Sequence, residues 1–346
     1  HPHVARAMAD ASREYVDINT LQRRAGHELA ERLGAEAAHI CSCASAGMTL
    51  MAAACMTGTD AAKIERLPDT ADMANRFVVH KNHRNPFDHA LYIAGARFDE
   101  IAADEHALHA ALQKQNVAAV FYTFAWFCKG EVLPLPQVAE IAHGYRIPVI
   151  VDAAQVPPAE GFAHYLRQGA DLVVFSGGKS LRGPQTSGLI LGRRDLVQAC
   201  ALNDSPNIKC IGRGMKISKE SIVGLVKAIE IYLRKDHAQE MAEWEQRIDV
   251  FKRAFAAIPE LEAKRVVPLE AGQPVPYLEL RWPQTEAGIS YRQLVATLLD
   301  GSPSIAVRLV DAGFSDVTST HIRIAVHTLK EGETEIVAGA VKNIFA

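Results

Sequence analysis

Three short stretches carry side chains whose types and spacing suit chemistry. Val149-Ile150-Val151-Asp152-Ala153-Ala154-Gln155 ends an apolar run on a carboxylate, and Phe175-Ser176-Gly177-Gly178-Lys179, one helical pattern further on, ends another near an amine. Upstream, Cys41-Ser42-Cys43-Ala44-Ser45-Ala46-Gly47 lies between an apolar run and a helical pattern over residues 48–56. Its small side chains let backbone approach a ligand, and the free N–H groups that open a helix attract an anion. Singly, each stretch has an ordinary explanation: a strand-end Asp capping a turn, a solvated Lys, a tight connection. Together they offer an amine, a carboxylate and an anion cradle.

Pyridoxal 5′-phosphate (PLP) needs those three things: an amine for its Schiff base, a carboxylate that keeps the pyridine nitrogen protonated, and a cradle for its phosphate. Lys179 is the expected amine and Asp152 the expected partner of the ring nitrogen. Ser45 and Ser176 are expected to join backbone N–H groups at the phosphate. Gln155 is placed to bond the ring's phenolic oxygen, and His83 to stack on the ring.

The elements that must position these groups follow from periodicity. From about residue 35 to 235, helical patterns alternate with short apolar runs at 37–41, 77–80, 118–123, 148–152, 172–176 and 188–191. Helical stretches at 108–115, 135–145 and 162–169 separate them, which predicts βαβ units and a mainly parallel sheet covered on both faces. Ligands of such sheets bind beyond the carboxyl ends of the strands, where Asp152 and Lys179 fall. After Lys219 a helical pattern runs over 222–233, bends near Lys235–Asp236 and continues to about Phe255. Then come strands at 277–282, 305–309 and 321–326 and helices at 291–299 and 331–345. The expected plan is an amphipathic arm over residues 1–30, with Val4, Met8 and Tyr15 on one side. A large domain over 31–235 and a smaller C-terminal α/β domain over 236–346 complete it. There are no internal repeats and no low-complexity tract.

Asp-Ala-Ala-Gln followed by Ser-Gly-Gly-Lys resembles the fold-type I PLP enzymes of the aminotransferase class V group. The longer stretches FSGGKSLRGPQTSGLILGRR (175–194) and IGRGMKISKESIVGL (211–225) are similar to the branch related to bacterial selenocysteine synthase, and within it to the D-glucosaminate-6-phosphate ammonia lyases. The likeness runs from the arm at 4–21 to Thr328-Leu329-Lys330-Glu331-Gly332-Glu333. It implies that Lys179, Asp152, Gln155, Ser176, Ala44, Ser45 and His83 form the cofactor site. It places Arg323, in His-Ile-Arg-Ile-Ala-Val, where relatives put an arginine for the substrate α-carboxylate, a task suited to a planar fork. Arg182, Arg213 and Lys216 are the candidates for a distal anionic group. The implied reaction is loss of a β-hydroxyl and then ammonia from an amino acid such as D-glucosaminate 6-phosphate, giving a 2-keto-3-deoxy acid. Racemisation, or another elimination on a non-sugar amino acid, begins with the same α-proton abstraction and stays open, as does a catalytically idle regulator of the same fold. The resemblance also implies an active site at a subunit boundary, hence a homodimer or higher assembly.

Composition narrows the classes. A net charge of −3, with basic residues scattered, argues against nucleic-acid binding. No apolar run approaches the roughly 20 residues of a membrane-spanning helix. Six cysteines in 346 residues are too sparse for a disulfide scaffold and suit a reducing cytoplasm. No metal site is expected, since the Cys41/Cys43 pair has no second pair at zinc spacing and His80, His83 and His89 are spread along a strand end and loop. A cysteine desulfurase needs a nucleophilic cysteine in its C-terminal part, and the last one here is Cys210. The segment Thr123–Lys129 is also aromatic where desulfurases are polar. The start His-Pro-His-Val has no signal-peptide pattern and no Met, so the natural chain is expected to begin earlier.

Overall fold

The computed structural model describes residues 1–125, 128, 130–155, 161–267, 275–311 and 319–345. They form two compact units, His1–Arg234 and the described residues from Lys235 onward.

The first unit is built on a seven-stranded sheet of β1 (Ala37–Cys41), β2 (Arg76–His80), β3 (Arg97–Ile101), β4 (Val117–Thr123), β5 (Val149–Asp152), β6 (Leu172–Ser176) and β7 (Gly188–Gly192). Its order is β1-β7-β6-β5-β4-β2-β3. The neighbours among β2 to β6 run parallel, and β7 is antiparallel to both β6 and β1. The central strands are apolar throughout because both faces are covered. On one face Phe121, Ile150, Val174 and Ile190 pack with Met48 and Met51 of the helix Ala44–Thr57. On the other, Val149, Val151, Val173 and Phe175 pack with Leu29, Val138, Ile222 and Leu225. The carboxyl ends of β1, β4, β5 and β6 share one edge of the sheet with the start of β7: Thr123 is in register with Asp152, Ser176 with Gly188, and Gly188 with Cys41.

The second unit has a four-stranded antiparallel sheet of β8 (Glu262–Val266), β9 (Tyr277–Arg281), β10 (Arg308–Asp311) and β11 (Ser319–Ile324), in the order β10-β11-β9-β8. Leu278, Leu280, Ile322 and Ile324 turn one way, into a core with Ile248, Phe251, Leu294 and Val341 from three helices. The alternate residues Glu279, His321 and Arg323 turn the other way.

Several expectations are corrected. β3 (Arg-Phe-Asp-Glu-Ile) and β8 (Glu-Ala-Lys-Arg-Val) lie outside the expected strands: both are edge strands, where charge is usual and blurs the apolar signal. The strand expected at 305–309 begins only at Arg308. The small residues at 44–47 are not a loop before the helix but its first turn. The expected arm is two helices, Pro2–Ser12 and Ile18–Leu33. Val4 is buried and Met8 faces Gly224, but Tyr15 is fully exposed in the connection between them. Trp126, Phe127 and Lys129 of the aromatic segment lie outside the described residues.

Gly188 sets how closely β7 can approach the helix start. A Cβ there would lie 2.6 Å from the carbonyl carbon of Cys43 and 2.9 Å from the amide nitrogen of Ala44. Gly188→Ala is therefore expected to cost about 1–3 kcal/mol in urea unfolding. Gly144→Ala, which meets open space at a helix end, should leave stability unchanged or higher. Equal effects of the two substitutions would contradict this packing.

Candidate active site

Asp152 ends β5 with 5% of its surface exposed. One carboxylate oxygen accepts from the Ala154 amide at 2.9 Å. The surrounding backbone is pinned by bonds from Ala153 N to Val174 O (3.0 Å) and from Phe124 N to Asp152 O (2.8 Å). Burial pushes the carboxyl pKa up to about 6; the Ala154 amide and the Lys179 charge pull against it, and Asp88 adds to it.

Lys179 lies in the turn after β6. That turn is closed by bonds from Gly177 N to Ser187 O (2.9 Å), Gly183 N to Gly177 O (2.8 Å) and Arg182 N to Lys179 O (2.9 Å). Ser180 donates to the Gln155 carbonyl at 3.3 Å, tying this turn to the one after Asp152. The Lys179 side chain is exposed, yet its charge is felt at Asp152.

The helix Ala44–Thr57 opens at the same edge. Its N-cap is the Cys43 thiol, which accepts from Ala46 N at 3.3 Å. A helix leaves its first amides without intrahelical partners, so the N–H groups of Ala44 and Ser45 are available to an anion beside Ser176. His83 is buried, and its Nδ1 accepts from the Thr123 amide at 3.4 Å, so the ring proton belongs on Nε2. Burial and the neighbouring His80 push its pKa down to about 3, which keeps the ring neutral. Tyr122 meets it edge-on at 4.3 Å between centroids.

Seven of the residues singled out in the sequence thus come to one sheet edge: Asp152, Lys179, Gln155, Ser176, Ala44, Ser45 and His83. Of the other four, Arg182 joins them through its backbone amide, which donates to the Lys179 carbonyl; among the described residues Arg213, Lys216 and Arg323 make no hydrogen bond to them. Arg182 is exposed in the Lys179 turn, at an unusual φ of 52° for a residue with a side chain. Arg213 is half-buried and Lys216 exposed in the segment before the helix Lys219–Arg234. Arg323 is in the second unit, where it meets Glu279.

Sequence reasoning missed Thr123 and His80. The Thr123 hydroxyl is buried without a hydrogen-bond partner on the strand next to Asp152, and so is Nδ1 of His80. Thr123 ends an apolar run just as Asp152 does, and that was the available signal. Cys128 is a poor nucleophile, since burial pushes its thiol up to about 12. Among the described residues no group of three His, Cys, Asp or Glu side chains could hold a metal.

These residues fit PLP. A buried carboxylate faces no full counter-charge, an unpartnered hydroxyl sits beside it, and helix amides await an anion where Gly188 leaves room. A neutral aromatic ring and a primary amine complete the set. The aminotransferase class-V family model matches residues 95–309. The chain is 35% identical to 5′-C-glycyluridine monooxygenase-decarboxylase from a Streptomyces species, over 88% of this chain and 77% of that protein. It is 31% identical to D-glucosaminate-6-phosphate ammonia lyase from Salmonella typhimurium, over 99% of this chain and 90% of that protein. The solved structure of a D-glucosaminate-6-phosphate ammonia-lyase superposes with a TM-score of 0.83 at 29% identity, covering 100% of this chain and 91% of that one.

The raised pKa of Asp152 gives effects of opposite sign. Without cofactor, the folded state holds the Asp152 proton more tightly than the unfolded chain does. The carboxylate therefore destabilises the apo protein increasingly as pH rises from about 4 through 6, by an order of 2–3 kcal/mol. Asp152→Asn should raise the melting temperature of the apo protein at pH 8, change it little at pH 4, and weaken cofactor retention. A variant less stable at pH 8 that still holds the cofactor as tightly as the wild type would contradict this account.

Proposed function

The chain belongs to the aminotransferase class-V family of PLP-dependent enzymes, and from that premise we propose that it is an ammonia lyase acting on a β-hydroxy amino acid, with D-glucosaminate 6-phosphate as the favoured substrate. What carries the reading is its similarity to the ammonia lyase of that name along nearly the whole of both chains.

When bound, PLP supplies an electron sink that stabilises negative charge on the substrate α-carbon. Asp152 would keep the ring nitrogen protonated, and the low-dielectric site would strengthen that pair. Ala44 and Ser45 amides with Ser176 would hold the phosphate and Gln155 the phenolic oxygen, while neutral His83 would lie against the ring without repelling its charge. Lys179 would hold the cofactor through its aldehyde. Its freed Nζ would take the substrate α-proton and return a proton to the departing β-hydroxyl, which leaves as water. The unsaturated amine then hydrolyses to ammonia and a 2-keto-3-deoxy acid, with no net oxidation.

Arg323 takes the substrate carboxylate with its planar fork. Arg182, Arg213 and Lys216 take the distal phosphate. Among the described residues, the Arg213 and Lys216 side chains have no ion-pair or hydrogen-bond partner, which leaves their charge for a ligand. The reading includes at least a homodimer, since Ser45 and Lys179 are exposed in a single chain and the reaction needs water excluded. It also includes a cytoplasmic setting, in keeping with six free cysteines. No helix among the described residues is long and apolar enough to cross a membrane.

A second reading, oxygen-dependent decarboxylation of an amino acid, is favoured by the higher identity to the monooxygenase-decarboxylase. The deciding assay incubates PLP-loaded protein with D-glucosaminate 6-phosphate with and without oxygen. Equal amounts of ammonia and 2-keto acid under both conditions are expected. Oxygen uptake with carbon dioxide release would overturn the lyase reading, and no turnover at all would remove D-glucosaminate 6-phosphate as its substrate. Lys179→Ala should lose the bound-cofactor absorbance and at least about a thousandfold of kcat. The pair Arg213→Gln and Lys216→Gln should raise KM about tenfold for the phosphorylated acid and leave kcat near the wild-type value; an unchanged KM would remove them from the phosphate site.

A further inference from the structure

The second unit carries a buried carboxylate that the proposed reaction does not use. Glu279 is central on β9, on the sheet face turned away from the apolar core, and only 5% exposed. Arg281 holds its Oε1 closely, with Nε at 2.8 Å and Nη2 at 2.7 Å. Oε2 is shared: His321 Nε2 stands 3.0 Å away, and Arg323 reaches it by Nε at 3.4 Å and Nη2 at 3.3 Å. Arg323 and Glu279 are in direct register on β11 and β9, so this meeting is set by the sheet ladder.

The two guanidinium contacts are thus unequal. Arg281 alone gives Glu279 a full counter-ion. The Arg323 bonds are long, both end on one oxygen, and leave Nη1 without a protein partner among the described residues. Burial and the two arginines lower the His321 pKa against the pull of Glu279, which keeps His321 neutral at neutral pH. Two arginines therefore face one carboxylate, and Glu279 stays ionised in their field. The remaining positive charge lies on the outer edge of Arg323. A guanidinium binds a carboxylate bidentately through one edge while a second acceptor steadies another.

We infer that Glu279 is a positioning residue: it grips the Nε edge of Arg323 and aims the Nη1 edge outward for the carboxylate of the amino-acid substrate. Arg281 makes this possible by satisfying Glu279, so the grip on Arg323 is light enough to leave it a carboxylate receptor. The inference rests on the reading above in which Arg323 binds that carboxylate.

The test compares kcat and KM for D-glucosaminate 6-phosphate in Glu279→Gln, Glu279→Asp, Arg323→Lys and the double variant Glu279→Gln/Arg323→Lys. Glu279→Gln should raise KM about tenfold with kcat within about twofold and the cofactor absorbance unchanged. Glu279→Asp, which keeps the charge but withdraws it by one methylene, should move KM the same way by less, and stands in if the Gln variant does not fold. The double variant should be no worse than Arg323→Lys alone, because Glu279 acts through that arginine. An unchanged KM in Arg323→Lys would remove the carboxylate reading itself. A raised KM in Arg323→Lys with an unchanged KM in both Glu279 variants would overturn only the positioning role. So would additive losses in the double variant, or a fall in kcat and stability without a change in KM, which would make Glu279 a purely structural ion-pair partner.

Discussion

A carboxylate buried at the edge of a parallel sheet without a full counter-charge is the constraint on which the first unit turns. Asp152 is held at the end of β5 by backbone bonds on both sides and cannot swing out to water. One amide at its oxygen does not offset the loss of hydration, so its proton is held up to about pH 6. In the proposed site a cationic ring nitrogen would supply the missing partner, and the same low dielectric that makes the lone carboxylate costly would make that pair strong.

The rest of the edge is arranged to the same end by strand register. Parallel strands bring Thr123, Asp152 and Ser176 to one rim, and antiparallel β7 returns with a glycine where a side chain would push the helix start away. Thr123 then does two things: its amide sets the His83 tautomer while its own hydroxyl remains unpaired. Local stability is given up at that hydroxyl and at Asp152, the pattern expected where a site awaits a polar group.

The second unit makes the opposite choice with its own buried carboxylate. Glu279 is surrounded by two guanidinium groups and an imidazole, and its charge is stable there. One carboxylate is short of positive charge and the other has more than it needs. At both carboxylates the proposed ligand would bring the charge into balance: a ring nitrogen at Asp152 and a substrate carboxylate at Arg323 beside Glu279.

The sequence by itself determined the class of chemistry and most of the sheet. Uninterrupted apolar runs identify strands buried on both faces, and Asp152, Lys179 and the Cys41–Gly47 stretch fall directly at their ends, so the rule that ligands sit beyond strand carboxyl ends could locate them without coordinates. It could not yield β3 and β8, since an edge strand is written in charged residues that look like loop. It also could not show that residues 44–47 already form the helix, because small residues suit a turn and a helix start equally. Only the tertiary structure decided which polar groups are left without partners. Thr123 and His80 look like ordinary residues until neighbouring strands enclose them. Glu279 looks like a solvated strand residue until register sets it opposite Arg323. Periodicity says which way a side chain points, but burial and hydrogen-bond satisfaction depend on strands far apart in the chain, and these carry the electrostatics of both sites.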